Sequence, residues 1–131
     1  MTMPFPPYTV LSGPLSRPQR PVLITVPHAG RHYPPALLEK ARVSVEQLQM
    51  LEDRFVDRLT VQVAAAGFTV MIATLARAYL DLNRAEDEWD TALVADAVPS
   101  HSPNARVRAG LGLVPRRLHT VGDLWRARMR Y

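Results

Sequence analysis

Val22-Leu23-Ile24-Thr25-Val26 is an uncharged, largely β-branched run that gives way at once to Pro27-His28-Ala29-Gly30. A run of that kind suits a strand buried on both faces, as strands of parallel sheets are. Residues 59–76 form a second stretch with no charge, and at 18 residues it touches the lower limit for a membrane-spanning helix. Thr60, Gln62, Thr69 and Thr74 interrupt it, however, and Gly67 splits it. The better reading is a helix ending at Ala66, a glycine stop, and a strand over 68–73. A third apolar run, 78–82, reads as a strand that ends in Asn83-Arg84. Strands alternating with helical segments predict an α/β fold with a parallel or mixed sheet and flanking helices. In such sheets ligands bind just beyond the carboxyl ends of the strands, which is where His28, Asn83 and Arg84 would then sit.

The chain is long enough for one domain with a real core, and 47% apolar residues exclude wholesale disorder. Absence of cysteine excludes disulfides and thiolate metal sites. Residues 1–20 are proline-rich and expected to be extended, with the domain occupying 21–131. No signal-peptide pattern opens the sequence, so a cytoplasmic protein is expected. Residues 36–42 suggest a short helix. Ser44 followed by Gln47 has the form of a capping box, opening a helix towards Ala66 with one break. Further elements are expected as a short helix over 90–97, a strand over 110–114 and a closing helix over 123–131.

Arg84 offers a planar fork matched to a carboxylate, and Asn83 supplies further donors, so this strand end suits a small anionic ligand. Asp53 and Asp57, four apart, would share one face of a helix. Taken alone they read as a solvated face with Asp-Arg pairs. His28 raises the alternative, since one His and one carboxylate are two of the three protein ligands that a catalytic zinc needs. Seven arginines follow position 105, which could make a nucleic-acid surface. No nucleic-acid motif or aromatic stacking platform accompanies them, so that reading ranks last.

Pro27-His28-Ala29-Gly30, the segment 52–59, Arg77 with Asp81-Leu82-Asn83-Arg84, and Gly110-Leu111-Gly112-Leu113-Val114-Pro115 occur here in the order found in N-formylglutamate amidohydrolases. The chain therefore resembles that family over about residues 20–126, matching its N-terminal half. The resemblance implies a zinc carboxypeptidase-like hydrolase fold, truncated here. It also implies hydrolysis of N-formyl-L-glutamate to formate and glutamate, at the end of histidine degradation. His28 and Asp53 match zinc ligands, Asn83 and Arg84 match the pair that holds the substrate carboxylate, and Arg77 matches a helper near the scissile amide. Asp57 is expected to support the ligands from outside, and Asp81 to orient Arg84 or a neighbour.

The third ligand, a His, and the general base, a Glu, are implied to lie in the half that this sequence does not match. His101 resembles the missing ligand only superficially, His32 sits in a loop, and His119 lacks context. Four readings stay open. The chain is a fragment inactive alone, or a hydrolase completed by a homo-oligomer or a separate C-terminal half. Otherwise it is a non-catalytic carboxylate-binding remnant or, last, a nucleic-acid binder.

Overall fold

The computed structural model describes residues 6–16, 18–99 and 101–130. Its elements run β1 (Tyr8–Leu11), β2 (Leu23–Val26), α1 (Pro35–Lys40), α2 (Val45–Leu48), a 3-10 turn (Gln49–Leu51), α3 (Val56–Ala65), β3 (Thr69–Ala73), α4 (Ala105–Arg108), β4 (Arg117–Leu118) and β5 (Gly122–Asp123). The main sheet has the order β1-β3-β2 and is mixed, with β2 parallel and β1 antiparallel to β3. Of the segment expected to be extended, residues 1–5 and 17 lie outside the described residues, while β1 is extended and joins the sheet.

The α3–β3 connection forms as the sequence predicts. Gly67 has φ +95°, a left-handed conformation open to glycine at little cost, and its N–H closes the helix on the Ala64 carbonyl. Among the described residues no helix is long and apolar enough to cross a membrane. The Ser44 hydroxyl accepts from the Gln47 N–H, and the Gln47 side chain accepts from the Ser44 N–H, completing the capping box.

Four expected elements are absent. The strand over 78–82 is replaced by turns, because the Tyr79 N–H bonds back to Ala76 and the Asp81 carboxylate captures the Asn83 N–H. An aspartate that bonds its own backbone two residues on makes an Asx turn and ends any strand. Residues 90–97 turn once around the Asp90 carbonyl and then pair across the chain, Ala95 N–H donating to Met129. Residues 110–114 make only an isolated bridge from Leu111 to Pro115. The expected closing helix is β5 followed by bridges at Trp125 and Met129; Tyr131 lies outside the described residues. Here packing overrides local pattern, since Leu124 is wholly buried, Trp125 is nearly so, and the indole N–H donates to the Pro115 carbonyl at 2.7 Å.

Two apolar clusters result. One lies between β2, β3 and α3, with Val26, Ala64 and Val70 at its centre. The other gathers Leu37, Leu48, Leu51, Val94, Leu124 and Trp125. His28 stands in sequence between Val26 and Ala29 of the first cluster, and Asp53 follows Leu51 of the second by two residues.

Candidate active site

His28 follows β2 by two residues. Gly30 lets its loop lie against the chain leaving β3, because a Cβ at that position would collide with the Leu75 carbonyl. The N–H groups of Arg31 and His32 both donate to the Thr74 carbonyl, at 3.1 and 3.0 Å, and fix the loop. The β-branched strand and the small residue after it thus fix where the imidazole can be.

Asp53 does not share a helix face with Asp57. The helical path breaks after Leu51, Glu52 is extended, and Phe55 takes the left-handed conformation at φ 68°. The Asp53 N–H is captured by the His28 carbonyl at 2.9 Å. Glu52 is drawn inwards, its side chain fully buried and accepting a hydrogen bond from the Tyr33 hydroxyl. Burial first, then that bond to Glu52, pushes the Tyr33 phenol well above its usual range. Asp57 lies in the first turn of α3 and takes both terminal nitrogens of Arg31, at 3.1 and 2.7 Å, which lowers its pKa. Arg31, Arg54 and Arg58 surround the half-exposed Phe55 ring, with guanidinium-to-centroid distances of 5.3, 5.7 and 4.3 Å. The single break in the helical path is as the sequence predicts, but its position and the Tyr33–Glu52 bond went unread. Their one visible signal was the adjacent acid pair Glu52-Asp53, where an unbroken helix would leave no reason to bury the first.

His28 is held between two carboxylates. Its Nδ1 lies 3.2 Å from Asp53 Oδ2, and its Nε2 lies 2.7 Å from Asp81 Oδ1. Asp81 has no exposed surface and is fixed by Arg77 Nε at 2.9 Å, by the Asn83 N–H at 2.9 Å and by Arg84 Nη2 at 3.6 Å. Burial by itself would raise the Asp81 pKa. The bonds from His28 and Asn83, with the charge of Arg77, outweigh it and hold the carboxyl down at about 2.

The sign of the pH effect follows. The folded pKa lies below the ordinary 3.8, so this stabilisation is complete above about pH 4 and is lost as pH falls towards 2. A shift of this size corresponds to about 2 kcal/mol. Urea unfolding between pH 5 and pH 2 should show that loss, and it should be missing from Asp81→Asn. Equal acid slopes in the two chains would exclude Asp81 as its source.

With Asp81 anionic and buried against it, Nε2 is the nitrogen that carries a proton, and a neutral imidazole then turns a bare Nδ1 lone pair towards Asp53. Two lone pairs at that distance repel unless a proton or a cation lies between them. Zinc bonds of 2.0–2.1 Å give a tetrahedral edge of about 3.3 Å, so the observed 3.2 Å separation fits two ligands of one ion. The Asp53 side chain is 59% exposed, so the pair borders solvent. No third donor completes the set, since among the described residues no group of three His, Asp or Glu side chains could hold a metal. His101 is paired with Asp87 at 3.1 Å in a cleft with Trp89 and Asn104. His119 lines a different hollow with Arg117 and Leu118.

The expected carboxylate grip is divided. Asn83 is exposed, and with Tyr8, Thr25 and Pro27 it lines a small hollow of about 70 Å³ at the end of β2. The Arg84 side chain is only 5% exposed. Its Nε donates to the Leu111 carbonyl at 3.0 Å and its Nη1 to the Asn83 carbonyl. The structure therefore brings His28, Asp53, Asp81, Arg77, Asn83 and Arg84 into one linked network, with Asp57 joined to the neighbouring loop through Arg31. The late arginines are partly absorbed into local contacts, Arg116 with Asp90 and Asp123, Arg128 with the Thr91 carbonyl.

The comparisons agree with the motif order. No curated protein matches the chain. Among solved structures it is similar to N-formylglutamate amidohydrolase from Ralstonia eutropha JMP134, with 29% identity and a TM-score of 0.83. That match covers 95% of this chain and 43% of the relative, so the chain spans less than half of the solved protein's length. The N-formylglutamate amidohydrolase family model matches residues 20–131, nearly all of the sequence, and the chain belongs to that family.

Proposed function

We propose that this chain carries the first half of the catalytic centre of a zinc-dependent amidohydrolase acting on an N-acyl amino diacid, with N-formyl-L-glutamate as substrate. The observation that carries this reading is the His28 imidazole, anchored at Nε2 by buried Asp81 and facing Asp53 across 3.2 Å at Nδ1. Carboxylate–histidine–metal arrangements have this form, the anchored ring nitrogen fixing the tautomer of the ligating one. In this reading the architecture is that of the zinc carboxypeptidase-like hydrolases.

His28 Nδ1 and Asp53 would hold the ion. When bound, zinc would lower the pKa of its water and polarise the acyl oxygen. Asp81 orients His28 and keeps the Nε2 proton in place. Asn83 meets the substrate carboxylate with its exposed amide. Arg84, spent largely on backbone carbonyls, holds Asn83 in position and contributes to the grip through its positive charge. Arg77, with Nε on Asp81 and a side chain 16% exposed, stands beside the scissile amide.

Zinc competition against a chromophoric chelator tests this. The chain alone should bind weakly, with two protein ligands in place of three, and His28→Ala or Asp53→Ala should lower the affinity by about tenfold or more, the loss that follows even from a supporting group. Zinc retained at full affinity in both variants would remove them as ligands. Activity towards N-formyl-L-glutamate is expected only where a third ligand is supplied.

A further inference from the structure

The second apolar cluster is open at one edge. Leu37 and Val94, both buried in it, border a cleft of about 360 Å³ that Leu80, Val114 and Met129 also line. Backbone bonds hold these walls in place. The Met129 N–H donates to the Leu93 carbonyl at 2.7 Å, and the Met129 carbonyl accepts from the Ala95 N–H at 3.0 Å. The Tyr79 N–H donates to the Ala76 carbonyl and closes the turn that carries Leu80. Protein interiors hold few voids larger than a water molecule. An apolar concavity of this size, with a few converging polar groups, has the form of a small-molecule site.

The ionic groups here carry one sign. Lys40 and Arg130 line the cleft together with Tyr79, and among the described residues no aspartate or glutamate does. Leu37 and Lys40 are three apart on α1, so that helix presents an apolar side chain and an ammonium on one face. Arg31, Arg77, Arg84 and Arg116 are all paired with carboxylates. Among the described residues the side chains of Lys40, Arg130 and Tyr79 enter no ion pair or hydrogen bond. The cleft shares no residue with the network of His28, Asp53, Asp81 and Asn83, although Tyr79 and Leu80 directly precede Asp81.

We infer that this cleft binds a small amphipathic carboxylate, a medium-length alkyl chain or single ring carrying one anionic head. Its apolar body lies on Leu80, Val94, Val114 and Met129, and its head meets the Lys40 ammonium, the Arg130 guanidinium and the Tyr79 hydroxyl. Two cations and a hydroxyl donor suit a carboxylate, whereas an ammonium head meets like charge. The site is independent of the metal reading above.

Titration calorimetry of the full chain with octanoate, octylammonium and acetate tests this. Octanoate is expected to bind at millimolar concentration or below, and acetate, which lacks the apolar body, to give no measurable heat. Octylammonium should bind more weakly than octanoate by about tenfold or more. Lys40→Ala with Arg130→Ala should weaken octanoate by about tenfold, the joint effect of two charges that border solvent. Lys40→Glu with Arg130→Glu should invert the preference, so that octylammonium binds the tighter. Both positions are exposed, and circular dichroism checks that each variant is folded. Trp89 lines the cleft while Trp125 is nearly buried, so octanoate should shift the tryptophan emission, and Trp89→Phe should remove that shift while calorimetry still records binding. Asn83→Ala should leave octanoate binding unchanged. Octanoate binding lost in Asn83→Ala would place the anion in the candidate active site and overturn the inference. So would no binding of octanoate, or equal affinity for octanoate and octylammonium, which would leave the Lys40 and Arg130 stems as covers for the cluster edge. If the reversed pair fails to fold, the comparison of octanoate with octylammonium on the unaltered chain decides.

Discussion

Asp81→Asn is expected to destabilise the chain by about 3–5 kcal/mol, the usual cost of removing one partner from a buried ion network. Asp81 has no solvent exposure, and it is the shared acceptor for His28, Arg77 and the Asn83 N–H, with Arg84 a little further away. An amide of nearly the same shape keeps one acceptor oxygen but no charge, so the two guanidinium groups lose their common anion. Its NH₂ must also face either Arg77 or the Asn83 N–H, each of which sets donor against donor, and on the Asn83 side it also meets His28 Nε2 and favours the tautomer whose proton sits on Nδ1. Because the carboxylate also selects which His28 nitrogen is bare, zinc affinity should fall by about 10–100-fold in the fraction that remains folded. Urea unfolding and chelator competition read the two effects independently. A loss below about 1 kcal/mol would mean that water screens the network as it does at a surface. Unchanged zinc affinity in a chain of reduced stability would leave Asp81 a purely structural anchor.

The parts of this arrangement that were legible in the sequence are those set by local chemistry. The β-branched run before Pro27, the Ser44–Gln47 box and the stop at Gly67 each specify their own conformation over a few residues, and all three formed. The motif order singles out His28, Asp53, Asn83 and Arg84, and the fold brings all four into one hydrogen-bonded network. What did not read through was decided at long range. Residues 78–82 look like a strand by composition, yet Asp81 captures the Asn83 N–H, and its own N–H donates to Leu113, 32 positions away. Asp53 and Asp57 have helical spacing, but the His28 carbonyl takes the Asp53 N–H and Tyr33 draws Glu52 inwards, so the helix stops after Leu51 and only Asp57 is helical. Residues 123–131 carry charges suited to a helix, and the burial of Leu124 and Trp125 decides otherwise. The role of Asp81 was hidden for the same reason. Its partner His28 lies 53 positions away, while the nearer Arg77 and Arg84 made a sufficient local explanation.

Gly30→Ala should be the most damaging single-methyl change in the chain, at about 3 kcal/mol, the upper part of the range for overpacking. The reason is room and not backbone freedom, since Gly30 is not among the residues with positive φ. A Cβ there meets the Leu75 carbonyl and the Thr74 carbonyl carbon, which are backbone atoms and cannot swing aside as a side-chain tip does. Relief requires the loop over 27–32 to lift from the chain leaving β3, which breaks the bonds from the Arg31 and His32 N–H groups to Thr74. It also carries His28 away from Asp81, so stability and zinc affinity should fall together. Gly122→Ala is the informative contrast. That glycine has φ +89°, but an added Cβ meets nothing within 4 Å. Its cost should be only the left-handed backbone penalty, about 1–2 kcal/mol, with zinc affinity unchanged. If the two substitutions cost the same, or if Gly30→Ala spares metal binding, the close approach of the 27–32 loop to Leu75 is not what holds His28 in place.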